Sequence, residues 1–404
     1  MIEKKLLKKN RYDRLLQLLI ILLVFGIIGG ALQPVRIFTL LLVPKTISFY
    51  VKNKNMFSMF MFEFVFFVCW LLYGIISISW GTDLISGFKE LSYLLLNFML
   101  FFVFTFLAIK ANKVYHSIIF AWLFLFLLTV PIAVYEIIVD VHLPTSLQQS
   151  NNIIGGDGRL RHFASVTYGN LNGYNQLLVY LCPFIFSLFY LYRKGFQTLL
   201  ISILTLMYLS IILLNSSRAA VLSAVIVISV FYLSKKKINK WVYILPTLFF
   251  ITLVTYYYDE IFFMITYRLD HQGFEDGIRT QIIQSGLMSL ENSMFMGVGA
   301  GNFQANMEEN YDLVINAPHN LFLEIGVQYG LLILMGFFFL LRKIYKNSRR
   351  NRIMVSRFVV YSGLLAFPIM AIINSGHLLS MLTWLYIYSL YVFSNPRFLY
   401  NKLV

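Results

Sequence analysis

Residues 318–341 read PHNLFLEIGVQYGLLILMGFFFLL. After Asn320 the chain is apolar for about twenty residues, which is the length that a helix needs to cross a hydrocarbon core of about 30 Å. The one acidic residue of this run is Glu324. The titratable imidazole of His319 lies just before the run, next to Asn320. The stretch therefore predicts a membrane-spanning helix with a histidine at its mouth.

The whole chain has the composition of a membrane protein. Of its 404 residues, 59% are hydrophobic and only 13% are charged, whereas about 25% are charged in a typical soluble domain. Its apolar runs predict an all-α polytopic membrane protein of about twelve spans, with residues 1–404 forming a single integral membrane domain. The predicted spans are 15–32, 35–51, 56–80, 91–109, 114–139, 176–192, 196–214, 219–233, 241–258, 320–341, 358–373 and 378–394.

The second span is doubtful by hydropathy alone, because it contains Arg36, Pro44 and Lys45. The distribution of charge supports it. With twelve spans and a cytoplasmic N-terminus, the inner segments hold 25 of the 33 Lys and Arg residues, as the preference for positive charge on the cytoplasmic side requires. Without this span the basic N-terminal segment would lie outside, so the span is retained.

The charge pattern also excludes a nucleic-acid partner. The formal net charge of +15 follows the predicted cytoplasmic segments, where Lys and Arg attract lipid headgroups. The two cysteines, Cys69 and Cys182, lie in apolar runs and predict neither a disulfide framework nor a zinc site. The charged segment MIEKKLLKKNRYDR at 1–14 is not expected to be a cleavable signal peptide.

Two outer loops are long enough to carry function, one at about 140–175 and one at about 259–318, between spans nine and ten. In the second loop, apolar residues follow Arg279 at helical spacing and predict a short interfacial helix near 279–292. Arg279 is expected in its first turn, where free backbone N–H groups add to a positive field. The apolar face would consist of Ile282, Ile283, Gly286, Leu287 and Leu290.

Arg218 stands between two spans that leave almost no loop, in LLNSSRAAVLSAV at 213–225. It is therefore expected at membrane depth on the outer side. It could be an arginine that snorkels and anchors a helix end. We favour a second interpretation, in which Arg218 binds an anionic group, because an outer arginine at this depth is costly unless an anion meets it.

His319 also has two interpretations. A single histidine at a helix start is more often a hydrogen-bonded structural residue than a catalyst. The outer arginines favour the catalyst, because His319 is expected to be the only outer histidine at a helix mouth beside them. The first long loop adds Arg161 and Asn172, in RHFASVTYGNLNGYNQL at 161–177, although ordinary loop and turn chemistry would explain such residues equally well.

These stretches resemble the superfamily of O-antigen ligases and of O-antigen and capsular polysaccharide polymerases, which are bacterial membrane glycosyltransferases. The resemblance covers most of the chain, and the large outer loop between spans nine and ten also matches. It rests on SSRAA at 216–220, RLDHQGFEDGIRTQIIQSGLMSLENSMFMGVGAGNF at 268–303 and PHNLFLEIGVQYG at 318–330, with 161–177 matching more loosely.

The resemblance implies a GT-C-like fold and a glycan donor carried on undecaprenyl diphosphate. Transfer would take place at the outer face of the cytoplasmic membrane, with inversion and without a cofactor or metal. Arginines would stabilise the diphosphate leaving group, and a neutral-pH imidazole would take the acceptor proton, with Glu324 as a helix-internal counter-charge. The expected catalytic residues are His319, Arg279 and Arg218, and the expected substrate-binding residues are Arg161, Arg268, Asn172 and Asn320.

Three functions are compatible with this pattern. We favour a polysaccharide polymerase that acts on a glycan acceptor. Its expected partners are membrane lipids, a chain-length regulator and a flippase. A ligase that moves a finished glycan to a lipid or cell-wall acceptor would share the same motifs. A lipid-linked sugar flippase would show broken helices or paired mid-membrane charges, whereas the charges here gather on one face and Glu63 is the main buried acid of the first half.

Overall fold

The computed structural model describes residues 10–146, 163–192, 195–215, 217–234, 273–313 and 317–400. Every element in these ranges is a helix, which confirms the predicted all-α membrane fold. Seven of the described helices are long and apolar enough to cross a membrane, and three shorter apolar helices accompany them. The helices are α1 (Arg11–Ile21), α2 (Pro34–Lys52), α3 (Lys54–Ser58), α4 (Met61–Ser77), α5 (Leu84–Lys110), α6 (Val114–Val139), α7 (Leu171–Leu191), α8 (Gly195–Leu214), α9 (Arg218–Ser234), α10 (Gly273–Asn292), α11 (Phe303–Tyr311), α12 (Leu321–Arg350), α13 (Met354–Met370), α14 (Met381–Ser394) and α15 (Arg397–Tyr400).

The doubtful second span is the continuous helix α2, which is long and apolar enough to cross a membrane. Its arginine is accommodated by backbone carbonyls. Arg36 donates to the carbonyl oxygens of Gly30 at 3.0 Å and Leu379 at 3.1 Å, and its guanidinium lies 4.1 Å from the centre of the Tyr93 ring. The predicted ninth span, 241–258, lies outside the described residues.

The first predicted span, 15–32, is wrong in its extent. Helix α1 ends at Ile21, and a short 3₁₀ turn carries the chain to Phe25. The chain then turns at Gly26, whose φ is +49°. A Cβ on Gly26 would lie 2.1 Å from the carbonyl oxygen of Thr167, so only glycine permits this close approach. The turn thus ends the helix and fastens it to the segment before α7.

Helices α7 and α14 form the centre of the bundle, since nearly all of their residues are buried. They meet through stacked rings of Tyr180 and Tyr386, whose centroids are 4.2 Å apart. Trp122 of α6 joins them by donating from Nε1 to Ser389 Oγ at 3.1 Å. Packing and hydrogen bonds of this kind hold helices together in lipid, where apolar burial between helices gives little driving force.

Helix α12 is broken at Gly330, whose φ and ψ are 76° and 175°. The predicted span 320–341 is therefore two helices joined at a kink rather than one continuous helix. The break frees carbonyl groups, and a glycine-rich turn satisfies them. Val298 N–H donates to the carbonyl of Val327 at 2.7 Å, and Gly299 N–H donates to that of Gln328 at 3.1 Å. A freed carbonyl inside a membrane needs such a partner.

The hydrogen bonds define two ends of the bundle. At one end, which we name the histidine end, Leu321 N–H at the start of α12 donates to the carbonyl of Ala371 at 3.0 Å. At the opposite end, Asn10 before α1 donates to the carbonyl of Lys110 at 2.8 Å, and Asn351 donates to that of Phe393 at 3.1 Å. Segments that were predicted to be inner ones meet at this opposite end.

Glu63, the acid expected to be buried in the first half, is fully buried at the start of α4. It forms an ion pair of 2.6 Å with Lys343 near the end of α12. The pair belongs to the opposite end of the bundle. Glu63 is not alone, because Glu90 of α5 and Glu136 of α6 are buried as well, and Glu90 accepts a hydrogen bond of 2.6 Å from the hydroxyl of Tyr329.

We predict that Gly26→Ala destabilises the protein more than Gly30→Ala does. Both glycines have positive φ, so alanine adds backbone strain of about 1–3 kcal/mol at either site. Only Gly26 has a backbone oxygen in the place of the new Cβ, because Gly30 has no neighbouring atom within 4 Å. Thermal unfolding of the purified proteins in detergent measures the difference. Equal midpoints for the two variants would contradict the steric role of Thr167.

Candidate functional site

His319 turns the chain into α12 through an unusual backbone conformation, with φ at +44°. Positive φ is uncommon for residues other than glycine, and histidine is one of the types that tolerate it. The next residue, Asn320, caps the helix, since its side-chain oxygen accepts from Phe322 N–H at 2.9 Å and Leu323 N–H at 3.2 Å. The cap occupies this oxygen, which leaves the amide nitrogen of Asn320 as its group for contact with a substrate.

The surroundings of His319 favour the neutral form of its imidazole. Burial lowers the pKa of His319 below its usual range, and the positive charge of Arg279 lowers it further. Among the described residues no hydrogen-bond partner reaches Nδ1 of His319, which is buried. A neutral imidazole with a nitrogen free of protein partners can accept a proton at neutral pH.

Arg279 lies on α10, in the second turn and not in the first as predicted, because the helix begins at Gly273. The field of a helix N-terminus fades within the first turn, so Arg279 acts through its own charge. The position of α10 is fixed by its contact with α12. Ile282 is buried with Leu323 and Val327. At Gly286 a Cβ would lie 3.1 Å from the Leu323 side chain.

The buried side of α10 differs in part from the predicted apolar face. Ile282, Gly286 and Leu290 are buried, but Ile283 and Leu287 point outward and are exposed. Two serines, Ser285 and Ser289, take their places on the buried side. The exposed isoleucine and leucine fit a helix beside lipid, and the orientation of α10 on a membrane surface stays a prediction.

A second histidine, His377, lies close enough to His319 to interact with it electrostatically, and the sequence motifs did not indicate it. His377 stands in the short connection between α13 and α14, at the histidine end, so His319 is not the only histidine that lies near the start of a helix at that end. Its side chain is fully buried. Burial lowers the pKa of His377 to about 4, the carbonyl of Asn374 opposes this, and His319 adds to the lowering.

Hydrogen bonds hold His377 from two sides. Its backbone N–H donates to Glu324 Oε2 at 3.1 Å, which gives the carboxyl of Glu324 a positioning role. The role of Glu324 as a counter-charge stays a prediction. Its ring atom Nδ1 lies 3.0 Å from Gln176 Nε2, and Asn374 donates to Gln176 Oε1 at 3.1 Å. Within the described part of the chain, no hydrogen bond reaches the buried Nε2 of His377.

Arg218 is the first residue of α9, and its side chain lies outside the described set. The turn before it is anchored at the start of α7. Asn215, which is fully buried, donates from Nδ2 to the carbonyl of Ala164 and to Asn175 Oδ1, both at 3.1 Å. Since α7 also carries Gln176, α9 begins at the histidine end of the bundle.

The remaining predicted site residues divide into two groups. Asn172 lies in the first turn of α7 and is half-buried, at the same end as His319. Arg161 and Arg268 lie outside the described residues. Across the described ranges, no group of three or more His, Cys, Asp or Glu side chains could hold a metal ion.

Comparison with known proteins agrees with the predicted resemblance. The family model described as O-Antigen ligase matches residues 202–338, a range that contains Arg218, Arg279 and His319. This segment is thus similar to the O-Antigen ligase family, in agreement with the resemblance that the sequence motifs predicted. The apolar helices indicate a multi-pass membrane protein.

A particular relative is the teichuronic acid biosynthesis protein TuaE of Bacillus subtilis strain 168. It is 22% identical to this chain over 310 residues, which are 71% of this chain. The chain spans 62% of the length of that relative.

We predict that Arg279→Gln raises the pKa of His319 toward its usual range. Removing the positive charge lifts one of the two causes of the lowered pKa, while burial still acts. Titration of the imidazole resonances by NMR, in protein labelled on histidine, measures the shift. Arg352→Gln, at an exposed arginine of the opposite end, is the control and should leave the titration unchanged. An unchanged midpoint in Arg279→Gln would show that the two side chains do not interact.

Proposed function

We propose that this protein is a polysaccharide polymerase. It transfers an oligosaccharide from undecaprenyl diphosphate to a glycan acceptor at the outer face of the cytoplasmic membrane of a bacterium. The donor and acceptor meet at the histidine end of the bundle. The observation that carries the proposal is the neutral, half-buried imidazole of His319 under the charge of Arg279, at the end where α9 begins with Arg218.

The proposed reaction is a single displacement without a metal ion. The acceptor hydroxyl attacks the anomeric carbon of the donor sugar, and its proton passes to His319. The bond between that carbon and the diphosphate oxygen breaks as the new glycosidic bond forms, so the anomeric configuration inverts. Arg279 and Arg218 stabilise the negative charge that develops on the leaving diphosphate, since charge-assisted hydrogen bonds are strong where water is scarce. Arg161, Arg268, Asn172 and Asn320 contact the two substrates.

A ligase is the second candidate, and the name of the matching family, O-Antigen ligase, favours it. The name of TuaE refers to biosynthesis of teichuronic acid, which fits a polymerase and a ligase equally. A chain-length regulator and a flippase that delivers the donor are the proposed partners.

A transporter gains one supporting observation from the break at Gly330. However, N–H groups of the protein itself fill that break, and the Glu63–Lys343 pair lies far from the histidine end.

We predict that His319→Gln and His319→Ala both abolish chain growth. Glutamine keeps a hydrogen bond but cannot take up a proton at neutral pH, and a positioned base contributes roughly 10²–10⁴-fold to rate. The wild-type rate should fall as the pH drops through the lowered pKa of His319, because the protonated ring cannot accept the acceptor proton. Gel laddering of a lipid-diphosphate glycan by the purified enzyme across pH measures both effects.

The matched control is His116→Gln, at an exposed histidine of the opposite end, which should keep wild-type activity. Binding of the lipid donor should survive in both His319 variants. A fully active His319→Gln variant would rule out His319 as the general base. An active His319→Ala with the wild-type pH profile would do the same.

The proposed face of the membrane predicts opposite labelling at the two ends. Asn310 and Lys346 are exposed, and cysteine at Asn310 should react with an impermeant thiol reagent in intact cells, whereas cysteine at Lys346 should not. The parent should carry Cys69→Ser, because Cys69 is exposed and Cys182 is buried. The reverse labelling pattern would place the histidine end in the cytoplasm and rule out transfer at the outer face.

A further inference from the structure

A cavity with a mixed polar and apolar lining opens at the histidine end, near the proposed catalytic residues. Its volume is about 230 Å³, below the range of roughly 300–1,000 Å³ that is typical of pockets for drug-sized ligands. It therefore suits a single sugar residue better than a whole repeat unit. The polar side chains of its lining come from three separate parts of the chain and are Gln33, Arg36, Gln176, Asn374, Ser375 and Ser380.

Arg36 gives this cavity its charge. Its side chain is only 6% exposed. It donates to the backbone carbonyls of Gly30 and Leu379 and also forms a side-chain hydrogen bond with Tyr93. A guanidinium has five N–H donors, so these bonds leave donors for a ligand. No carboxylate of the described residues forms an ion pair with Arg36. A buried cation without a counter-charge is costly in a membrane protein.

The cavity connects to the histidines through Gln176. This side chain lines the cavity, and its amide nitrogen lies 3.0 Å from Nδ1 of His377, which interacts electrostatically with His319. Asn374, also in the lining, donates to the same glutamine at 3.1 Å. A ligand in the cavity would thus lie one side chain away from the pair of histidines.

We infer that this cavity is a subsite for a sugar that carries an anionic group, either a carboxylate or a phosphate. The guanidinium of Arg36 would pair with the anion, and the amides of Gln176 and Asn374, with the nearby serines, would contact the hydroxyl groups. The inference rests on the proposed glycosyl transfer for the ligand class, since the sugar would belong to the donor or acceptor glycan. The cavity is distinct from the proposed diphosphate site, which consists of Arg279 and Arg218.

A binding measurement on the purified protein in detergent tests the inference without any turnover. The probes are methyl glucuronide, glucose 6-phosphate and methyl glucoside, followed by saturation-transfer NMR and calorimetry. The wild type should bind at least one anionic sugar about ten-fold or more tightly than methyl glucoside, as expected when a hydrogen-bonded charge pair forms. A preference for glucuronide identifies a carboxylate, and a preference for the sugar phosphate identifies a phosphate.

Three variants locate the site. Arg36→Gln should remove the preference for the anionic sugar. Ser375→Phe, which places a large ring at a lining position, should weaken all sugar binding while Arg36 is intact. Lys45→Gln is the matched control, because Lys45 is an exposed cation of the same helix outside the cavity, and it should bind like the wild type.

Several results would overturn the inference: equal binding of the neutral and anionic sugars by the wild type, no sugar binding at all, a preference that survives Arg36→Gln, or equal competition by inorganic phosphate and glucose 6-phosphate. If Arg36→Gln fails to fold, Ser375→Phe decides the question. These results differ from a failure of the proposed function, because a protein that does not transfer sugars could still bind anionic sugars through Arg36.

Discussion

The site depends on the contact between the first turn of α12 and the connection that precedes α14. Leu321 N–H donates to the carbonyl of Ala371, and Glu324 accepts from the backbone N–H of His377. These two bonds bring together segments that are about fifty residues apart in the chain. They place both histidines in one buried region, and burial is the largest cause of the lowered pKa of each. Without this contact, His319 would be a single histidine at a helix start, with no second imidazole beside it.

Two further constraints set the surroundings of that contact. The break at Gly330 lets the turn at 297–301 dock against α12, and the same turn is part of the segment that leads from α10. Gly286 lets α10 approach α12 closely, which keeps Arg279 within electrostatic reach of His319. The packing of α10 on α12 therefore brings the positive charge of Arg279 close to the imidazole of His319.

Most of the membrane fold was predictable from sequence, because the length of an apolar run is a local property. Even the doubtful helix α2 was recovered, since the distribution of Lys and Arg records the topology. The break at Gly330 was not predictable in this way. The N–H groups that satisfy it come from Val298 and Gly299, about thirty residues upstream, and the hydropathy of the run does not change at the glycine. The shorter α1 was missed because its end depends on Thr167.

For the site, the motifs pointed to a region in which Arg279 and His319 interact electrostatically, and the roles of these residues stay a prediction. His377 was missed because the residues around it, NSGHLLS at 374–380, contain no arginine or recurring motif, and its closeness to His319 arises only from the packing of α12 and α14. Arg36 was recognised as unusual in a span, yet its cavity is built in part by residues more than 330 positions later.

Transfer of a glycan from a lipid diphosphate is measured most directly by counting both products of the reaction. Purified wild-type protein would be incubated with an undecaprenyl-diphosphate-linked oligosaccharide, and both the released lipid diphosphate and the new glycosidic bonds would be counted. We expect the released lipid diphosphate and the new bonds to appear together in a one-to-one ratio, with the opposite anomeric configuration in the new bond. Release of lipid diphosphate without new bonds, or neither product from an intact donor, would contradict this expectation.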